Sequence, residues 1–303
     1  MFDTAIIGGG PGGYTAALYC ARSGVSVILF EAVGPGGQIA NAIAVENYPG
    51  FDSISGYDLG EQIAAGAVRY GITVVNEAVT AVKLDSKVKQ LVTMSGTYEA
   101  RTVVIAVGAE PKKLGVADED ALRGHGIAYC AACDGRLYKG KTVAVIGGGN
   151  TAVTDALYLA KICTKVYLVH RRNSFRASQV YEKPLKQAGN IEPVWNSRVV
   201  KILHDKRVTG LELEDTAAGT KRVLECSGVF VAIGRDPSTA LFSGQVDLDD
   251  KGYIVADEST RTSVPGVFAV GDVRTKAVRQ VVTAAADGAT ASNYIEDYLA
   301  ENS

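Results

Sequence analysis

The sequence predicts an α/β fold in which two similar strand–helix–strand units lie in two domains. Short apolar segments run through glycines into helical segments at residues 4–22 and again at 142–163. A second apolar segment follows each helix, at residues 25–30 and 165–169. Short apolar strands that alternate with helices are typical of parallel sheets. The chain has 303 residues, a length that suits two hydrophobic cores.

The first unit carries a glycine fingerprint between its first strand and its helix, which is predicted over Pro11–Arg22. The pattern G-x-G-x-x-G is formed by Gly8, Gly10 and Gly13. Glycines permit a tight turn and a close approach to a pyrophosphate, and the helix N-terminus offers free N–H groups. Glu31 follows the second strand and can accept hydrogen bonds from both hydroxyls of a ribose. This unit is therefore predicted to bind FAD or a similar dinucleotide with a free ribose.

The second unit repeats the fingerprint but ends in basic residues. The pattern G-x-G-x-x-A is formed by Gly147, Gly149 and Ala152. His170 lies 23 positions after the first of these glycines, the same spacing that separates Glu31 from the first glycine of the other unit. Arg171 and Arg172 follow at once, and Arg176 lies one turn further on. Guanidinium groups match phosphate oxygens, whereas a carboxylate repels a 2′-phosphate, so this unit is predicted to prefer NADPH.

Later strand ends extend the repetition. Residues 102–111 and 228–237 each contain an apolar strand, a glycine and then a proline, and each would complete one nucleotide-binding unit. Residues 267–270 are predicted as a strand that ends at Gly271–Asp272, with a long helix from about Val278. An aspartate at such a strand end can hold the ribityl chain of a flavin.

Cys130 and Cys133 form a C-x-x-C pair just before the second fingerprint. Such a pair can form a redox-active disulfide, bind a metal or have no chemical role. A structural zinc needs about four ligands, and the other cysteines and histidines are scattered, so we expect no metal. The three remaining cysteines are predicted to be small buried apolar residues; they are Cys20, Cys163 and Cys226.

Composition excludes several classes of protein. A net charge of −2 gives no general attraction to nucleic acid or to an anionic membrane. No apolar run approaches the roughly 20 residues of a membrane span, and the N-terminus shows no signal-peptide pattern. Five cysteines in a chain of this length argue for a reducing compartment, so we expect a cytoplasmic protein.

Several motifs together resemble one family over essentially the whole chain. They are GGGPGGYTAALYCAR, GGQIANAIAVENYPG, CAACDG, GGGNTAVTDALYLA, HRRNSFRA and GVFAVGDVRTKAVRQ. Their order and spacing resemble the low-molecular-weight, bacterial-type thioredoxin reductases, which are class-II pyridine nucleotide-disulfide oxidoreductases. The resemblance implies two Rossmann-like dinucleotide-binding domains of the three-layer ββα type. It places a discontinuous FAD domain at residues 1–112 and 240–303 and an inserted NADPH domain at 113–239.

The resemblance also implies residues for each site. For FAD these are Gly8, Gly10, Pro11, Gly13, Glu31, Ala32, Gly36, Gly37, Gln38, Asn47, Val79, Val107, Gly108, Gly271, Asp272, Arg279, Gln280 and Val281. For NADPH they are Gly147, Gly149, Asn150, Thr151, His170, Arg171, Arg172, Arg176, Ile233 and Gly234. The catalytic residues implied are Cys130, Cys133 and Asp134.

The activity that this resemblance implies is an electron path. NADPH reduces FAD, FAD reduces the Cys130–Cys133 disulfide, and the dithiol reduces thioredoxin by thiolate attack. Cys133 would face the flavin, Cys130 would attack the partner, and Asp134 would handle the thiol proton. A rotation between domains, hinged near residues 112–117 and 238–244, would bring the disulfide and the nicotinamide to the flavin in turn. The family further implies a homodimer.

Two departures from the family bear on the choice of partner. Arg136–Leu137–Tyr138 stands where the family often has aromatic residues, and His125 stands where it often has an arginine. Reduction of another small redox protein therefore stays an alternative. A ferredoxin-linked flavin disulfide reductase is disfavoured because the second fingerprint and its arginines are intact. A non-catalytic redox sensor is disfavoured because both cysteines are present.

Overall fold

The computed structural model describes residues 1–42 and 44–302 and divides the chain into two compact units. Unit 1 comprises Met1–Glu110 and Asp236–Ser303, and unit 2 comprises Pro111–Arg235. Unit 2 is thus an insertion in the sequence of unit 1. Each unit contains a largely parallel sheet with helices on one face, described separately below.

Unit 1 is built on a seven-stranded sheet with strand order β3-β2-β1-β6-β5-β4, in which β17 also pairs with β6. Its strands are β1 (Phe2–Ile7), β2 (Val27–Phe30), β3 (Thr73–Val75), β4 (Ala81–Lys83), β5 (Lys89–Val92), β6 (Thr97–Ile105) and β17 (Val267–Ala269). Its helices are α1 (Pro11–Arg22), α2 (Gly56–Val68) and α6 (Val281–Glu301). The pairs among β1, β2, β3, β6 and β17 are parallel, whereas β4, β5 and the start of β6 form an antiparallel meander.

Alternation along the strands of unit 1 produces two cores, one on each face of the parallel sheet. On β1, Ala5 and Ile7 belong to the core on the meander side, and Ile6 belongs to the core under the helices. Successive side chains of a strand point to opposite faces, so a strand buried on both faces becomes a continuous apolar run. On the helical face, α1 and α6 pack closely at Gly288. An ideal Cβ there would lie 2.4 Å from the carbonyl oxygen of Gly12, so the approach requires glycine.

Unit 2 repeats this architecture with a five-stranded parallel sheet of order β11-β10-β9-β15-β8. The strands of this sheet are β8 (Ile127–Ala128), β9 (Thr142–Ile146), β10 (Lys165–Val169), β11 (Ile191–Val194) and β15 (Gly228–Val231). An antiparallel meander is formed by β12 (Ser197–His204), β13 (Val208–Asp215) and β14 (Lys221–Glu225). The helices are α3 (Ala131–Asp134), α4 (Asn150–Ala160) and α5 (Glu182–Gln187).

Helix α4 and the meander cover opposite faces of the second sheet. Val143 and Val145 of β9 pack with the α4 side, whereas Ala144 and Ile146 pack with the meander. Two short strands mark where the chain passes from one unit to the other; they are β7 (Ala109–Pro111) and β16 (Arg235–Pro237). The structure confirms the predicted α/β fold class with two parallel-sheet units, one inserted into the other in sequence.

Candidate functional site

The C-x-x-C pair forms a disulfide at the start of the short helix α3. Cys130 and Cys133 are cross-linked with their Cα atoms 5.3 Å apart, and both are half-buried. Cys130 caps α3, and the backbone N–H of Cys133 donates a hydrogen bond to its sulfur at 3.2 Å. The pair follows strand β8, which lies at an edge of the second sheet. A disulfide that is neither fully buried nor fully exposed can be reached by a reactant, which suits a redox role.

Asp134 is the residue directly after the disulfide, and its carboxyl is half-buried. Burial raises the pKa of Asp134 to about 6, and the charge of Arg123 opposes that shift. A carboxyl with a pKa in this range exchanges its proton near neutral pH, as a general acid or base must. Asp134 is therefore a suitable proton carrier directly after the disulfide in sequence.

The first glycine turn has the geometry of an open anion cradle. Gly8 has φ +108°, and an ideal Cβ on it would lie 2.5 Å from the carbonyl oxygen of Ala106. Gly10 is the N-cap of α1 without a side-chain cap, and an ideal Cβ there would meet nothing within 4 Å. The first N–H groups of the helix therefore have no side-chain cap, and a phosphate could accept their hydrogen bonds.

Glu31 lies directly against this turn. The backbone N–H of Gly9 donates to its Oε2 at 2.6 Å, and those of Val33 and Gly34 donate to its Oε1 at 2.8 and 3.3 Å. Three backbone N–H groups therefore hold its carboxylate in place at the end of β2. A carboxylate has about four lone-pair sites, so further hydrogen bonds to ribose hydroxyls are available.

Most other FAD candidates lie around the same edge of the first sheet. Gly36 donates its N–H to the carbonyl of Gly9 at 2.9 Å, and Gly37 lies against Gly10. Ala32 lies in the loop after β2, Gln38 lies in the 3₁₀ turn Gly37–Asn41, and Pro11 is the first residue of α1. Gly13 is required because an ideal Cβ there would lie 2.0 Å from the carbonyl oxygen of Gly8.

The strand ends of β6 and β17 supply the remaining candidates in unit 1. Val107 and Gly108 follow β6, and Gly271 and Asp272 begin a 3₁₀ turn after β17. Arg279 donates to the carbonyl oxygen of Asp272 at 3.4 Å and to that of Arg274 at 3.1 Å. Gln280 caps α6, Val281 is its first residue, and the Asn47 amide donates to the Gln280 side chain at 3.2 Å. Val79 packs on the meander-side core.

Sequence reasoning missed the buried ion network under this strand end. Asp287 of α6 accepts hydrogen bonds from the backbone N–H of Gly271 at 2.8 Å, from Arg274 at 2.9 and 2.7 Å, and from Lys276 at 2.8 Å. Arg274 is only 2% exposed, and it lowers the pKa of Asp287 against the effect of burial. The available signal was a carboxylate on the core-facing side of α6, between Ala284 and Ala291.

The second glycine turn repeats the first. Gly147 has φ +153°, and an ideal Cβ on it would lie 2.4 Å from the carbonyl oxygen of Ala232. Gly149 is the N-cap of α4 without a side-chain cap, and the space beside it is open. Asn150 accepts a hydrogen bond from the backbone N–H of Ser178 at 2.8 Å, and Thr151 is exposed. This helix N-terminus can therefore also receive a phosphate.

His170 occupies the position against the second turn that Glu31 occupies against the first. Its ring lies on Gly148, where an ideal Cβ would fall 2.3 Å from Cε1. The ring is buried, and within the described part of the chain its Nε2 has no hydrogen-bond partner. Burial and the charges of three nearby arginines lower the pKa of His170, so the ring is neutral at neutral pH. An orphaned buried nitrogen is costly, which indicates that a ligand atom can satisfy it.

The predicted basic residues lie beside this ring. Arg171, Arg172 and Arg176 are all exposed, and the backbone N–H of Arg176 donates to the carbonyl of Gly148 at 2.7 Å. Ile233 and Gly234 follow β15, and Gly234 has φ +117°. The two uncapped turns, the open space beside them and the orphaned nitrogen together fit two dinucleotides, one in each unit.

The other cysteines are buried, as predicted. Burial raises the pKa of Cys20 and Cys226 to about 12 and that of Cys163 to about 11. Thiols with such pKa values are inert at neutral pH. Across residues 1–42 and 44–302, no helix combines the length and apolar character that a bilayer crossing needs.

Comparisons with known proteins agree with this geometry. The sequence pattern of the pyridine nucleotide-disulphide oxidoreductase family matches residues 2–288. The chain is 42% identical over 302 residues to a thioredoxin reductase of Listeria monocytogenes, with 99% of this chain and 95% of the relative covered. It is 44% identical over 302 residues to one of Streptomyces clavuligerus, with 98% and 94% covered.

Solved structures are similar over the same length. The crystal structure of the thioredoxin reductase from Streptococcus pyogenes has a TM-score of 0.92 at 38% identity, with 99% of both chains covered. The structure of the thioredoxin reductase from Giardia duodenalis has a TM-score of 0.91 at 35% identity, again with 99% of both chains covered. The fold of this chain therefore has known counterparts among thioredoxin reductases.

Proposed function

Because the chain belongs to the pyridine nucleotide-disulphide oxidoreductase family, we propose that it is an NADPH-dependent flavoenzyme that reduces the disulfide of thioredoxin. One observation carries the proposal. A half-buried Cys130–Cys133 disulfide with an adjacent Asp134 lies in the same unit as a nucleotide turn flanked by exposed arginines. Full-length relatives named thioredoxin reductase support the identity of the partner.

We assign FAD to unit 1 and NADPH to unit 2. In unit 1 the open helix start at Gly10 would receive the pyrophosphate, Glu31 the ribose hydroxyls, and Asp272 the ribityl chain. In unit 2 the open helix start at Gly149 would receive the second pyrophosphate, and the three exposed arginines its 2′-phosphate. The remaining sequence-predicted residues at both turns are proposed contacts of the same two ligands.

The chemistry of the disulfide follows from its two sulfurs. When bound, NADPH and FAD supply the electron pair that converts the Cys130–Cys133 disulfide to a dithiol. The Cys130 thiolate then attacks the partner disulfide, which forms a mixed disulfide and releases one partner sulfur as a thiolate. Cys133 attacks the mixed disulfide, so the cysteine disulfide re-forms and the partner leaves with two reduced sulfurs. The net transfer to the partner is two electrons and two protons.

Asp134 is the proposed proton donor and acceptor for these sulfurs. Its pKa of about 6 lets it hold a proton while the dithiol forms and release it to a leaving thiolate near neutral pH. A fully solvated carboxylate, with its pKa near 4, would be too weak a base for this task. Burial of the carboxyl is thus part of its proposed role.

We further propose three features of the working protein. The units rotate during turnover about two hinges, near residues 112–117 and 238–244, so that the thiols and nicotinamide reach the flavin in turn. The protein works as a homodimer. It works in the cytoplasm, and three buried unlinked thiols support a reducing compartment of that kind.

A coupled assay tests the proposed activity. The full-length protein should oxidise NADPH when oxidised thioredoxin is added, and Cys130→Ser should abolish this because the attacking sulfur is gone. The matched control is Cys163→Ala, which removes a buried thiol remote from the disulfide in sequence and should retain the rate within about twofold. If the wild-type protein does not reduce thioredoxin but oxidises NADPH when another small disulfide protein is added, that protein and not thioredoxin is the partner.

A further inference from the structure

The backbone of the arginine segment is anchored at three consecutive residues. Its carbonyl oxygens accept hydrogen bonds from neighbours in unit 2: His170 from the N–H of Ser197 at 3.0 Å, Arg171 from the hydroxyl of Thr216 at 3.2 Å, and Arg172 from the N–H of Asn196 at 3.2 Å. Asn196 lies in the turn between β11 and β12, Ser197 is the first residue of β12, and Thr216 follows β13. The two arginine side chains are exposed, but the peptide units that carry them are tied down.

Asn196, whose N–H donates to the carbonyl of Arg172, has an unusual backbone conformation. Its φ is +47°, in the left-handed region, which asparagine tolerates and β-branched residues avoid. Its own carbonyl accepts a hydrogen bond from the N–H of Thr216 at 2.7 Å. The left-handed turn therefore joins both donor segments into one support.

An aromatic cluster holds the far side of the same segment. The ring of Phe175, which lies between Arg172 and Arg176 in sequence, packs on Trp195 with centroids 4.2 Å apart. Phe175 also lies 6.0 Å from the ring of His170. Tilted aromatic pairs at these distances are stabilising. Trp195 is the single tryptophan of the chain and precedes Asn196 directly.

We propose that the Trp195–Asn196 turn, Thr216 and Phe175 are positioning residues that preorganise Arg171 and Arg172 for a 2′-phosphate. This inference rests on the proposed use of NADPH by unit 2. Bidentate recognition of phosphate requires guanidinium groups at fixed positions, and an unanchored segment would have to be ordered on binding. The pyrophosphate lies on the separate glycine turn at Gly149, so loosening the support weakens binding of the 2′-phosphate and spares the rest of the nucleotide.

The test compares two substitutions at one position in the full-length protein with its flavin. Asn196→Val disfavours the left-handed backbone, whereas Asn196→Gly allows it. Isothermal titration calorimetry with NADP⁺ and NAD⁺ isolates the 2′-phosphate, because the two ligands differ only in that group. Asn196→Val should raise the Kd for NADP⁺ about tenfold, the effect of a strain of the size that left-handed residues carry. Asn196→Gly should bind NADP⁺ as wild type does, and both variants should bind NAD⁺ as wild type does.

A second pair of variants keeps the test decisive if Asn196→Val does not fold. Thr216→Val removes only the hydroxyl that donates to Arg171 and should also lower the preference for NADP⁺ over NAD⁺. Its control is Thr209→Val, an exposed threonine of the same meander, which should leave the preference unchanged. A wild-type protein without preference for NADP⁺ would contradict the proposed function. A preference that persists in Asn196→Val or Thr216→Val would overturn this inference alone.

Discussion

At the scale of single residues, the position after the second strand of each unit lies directly against its glycine turn. Glu31 and His170 occupy equivalent places against Gly9 and Gly148. Equal spacing along the sequence predicted this equivalence because both strands have the same geometry. Burial of the His170 ring and its orphaned Nε2 could not be predicted in the same way, since they depend on packing between distant segments.

Asp134 carries a prediction on stability. Its folded pKa of about 6 lies above the ordinary value of 3.8, so the folded protein holds a proton that the unfolded chain releases between those values. The free energy of unfolding therefore falls as pH rises through this window. Asp134→Asn removes that loss, and the variant should exceed wild type by about 1–2 kcal/mol near pH 7.5, since a partly exposed carboxyl keeps some hydration.

Urea denaturation at two pH values measures this difference. Near pH 4, below the folded pKa, the wild-type carboxyl is neutral in the folded protein and the two proteins should be similar. Burial also raises the pKa of Asp155 to about 6, and Arg235 opposes that shift. The free energy of unfolding of both proteins should therefore share the decline with pH that Asp155 causes. An asparagine variant that is less stable than wild type near pH 7.5 would show that the carboxylate is not penalised by burial.

At the scale of elements, local signals located both ends of one helix and misplaced one end of each of two others. Helix α1 matches its predicted bounds because Pro11 and Gly24 mark its two sides. Helix α4 was predicted to reach Cys163 but ends at Ala160, where N–H groups of the following turn bond back to Leu159. Helix α6 was predicted from about Val278 but begins at Val281, because Gln280 and Thr283 form a reciprocal cap that differs from the common sequence pattern.

The glycine turns allow a prediction that separates folding from binding. Gly149→Ala should leave the melting temperature almost unchanged, because the backbone φ of −95° suits alanine and the space beside it is open. The added methyl group would occupy the proposed pyrophosphate position and should weaken NADP⁺ binding about tenfold or more. Calorimetric titration and a thermal melt of the same sample measure both quantities.

Gly13→Ala is the contrasting variant. Its methyl group would collide with the carbonyl oxygen of Gly8, so it should destabilise unit 1 and reduce retention of FAD. Gly66→Ala, in an open position of α2, is the matched control and should be neutral or stabilising by about 0.5–1 kcal/mol.

For the second glycine turn, normal NADP⁺ binding by Gly149→Ala would show that the nucleotide does not use that turn.

At the scale of the whole molecule, repetition within the sequence predicted the two units, and the family resemblance implied the nested order of their segments. The parallel strands were visible because they are apolar on both faces. The meanders are harder to predict from residues alone, since their outer faces meet solvent; β14, for example, buries only Leu224. Supporting contacts such as the hydrogen bond from Gly271 to Asp287 join residues of different elements, and the periodicity within one element does not reveal such contacts.

The proposed activity requires one chain to pass electrons from NADPH through a flavin to its own disulfide. Anaerobic titration of the purified protein with NADPH and then NADH, followed by flavin absorbance at about 450 nm, measures this path. We expect bleaching at much lower concentrations of NADPH than of NADH, with an uptake of about four electrons per subunit, two for the flavin and two for Cys130–Cys133. Uptake of about two electrons would contradict it, because the disulfide would then lie outside the path.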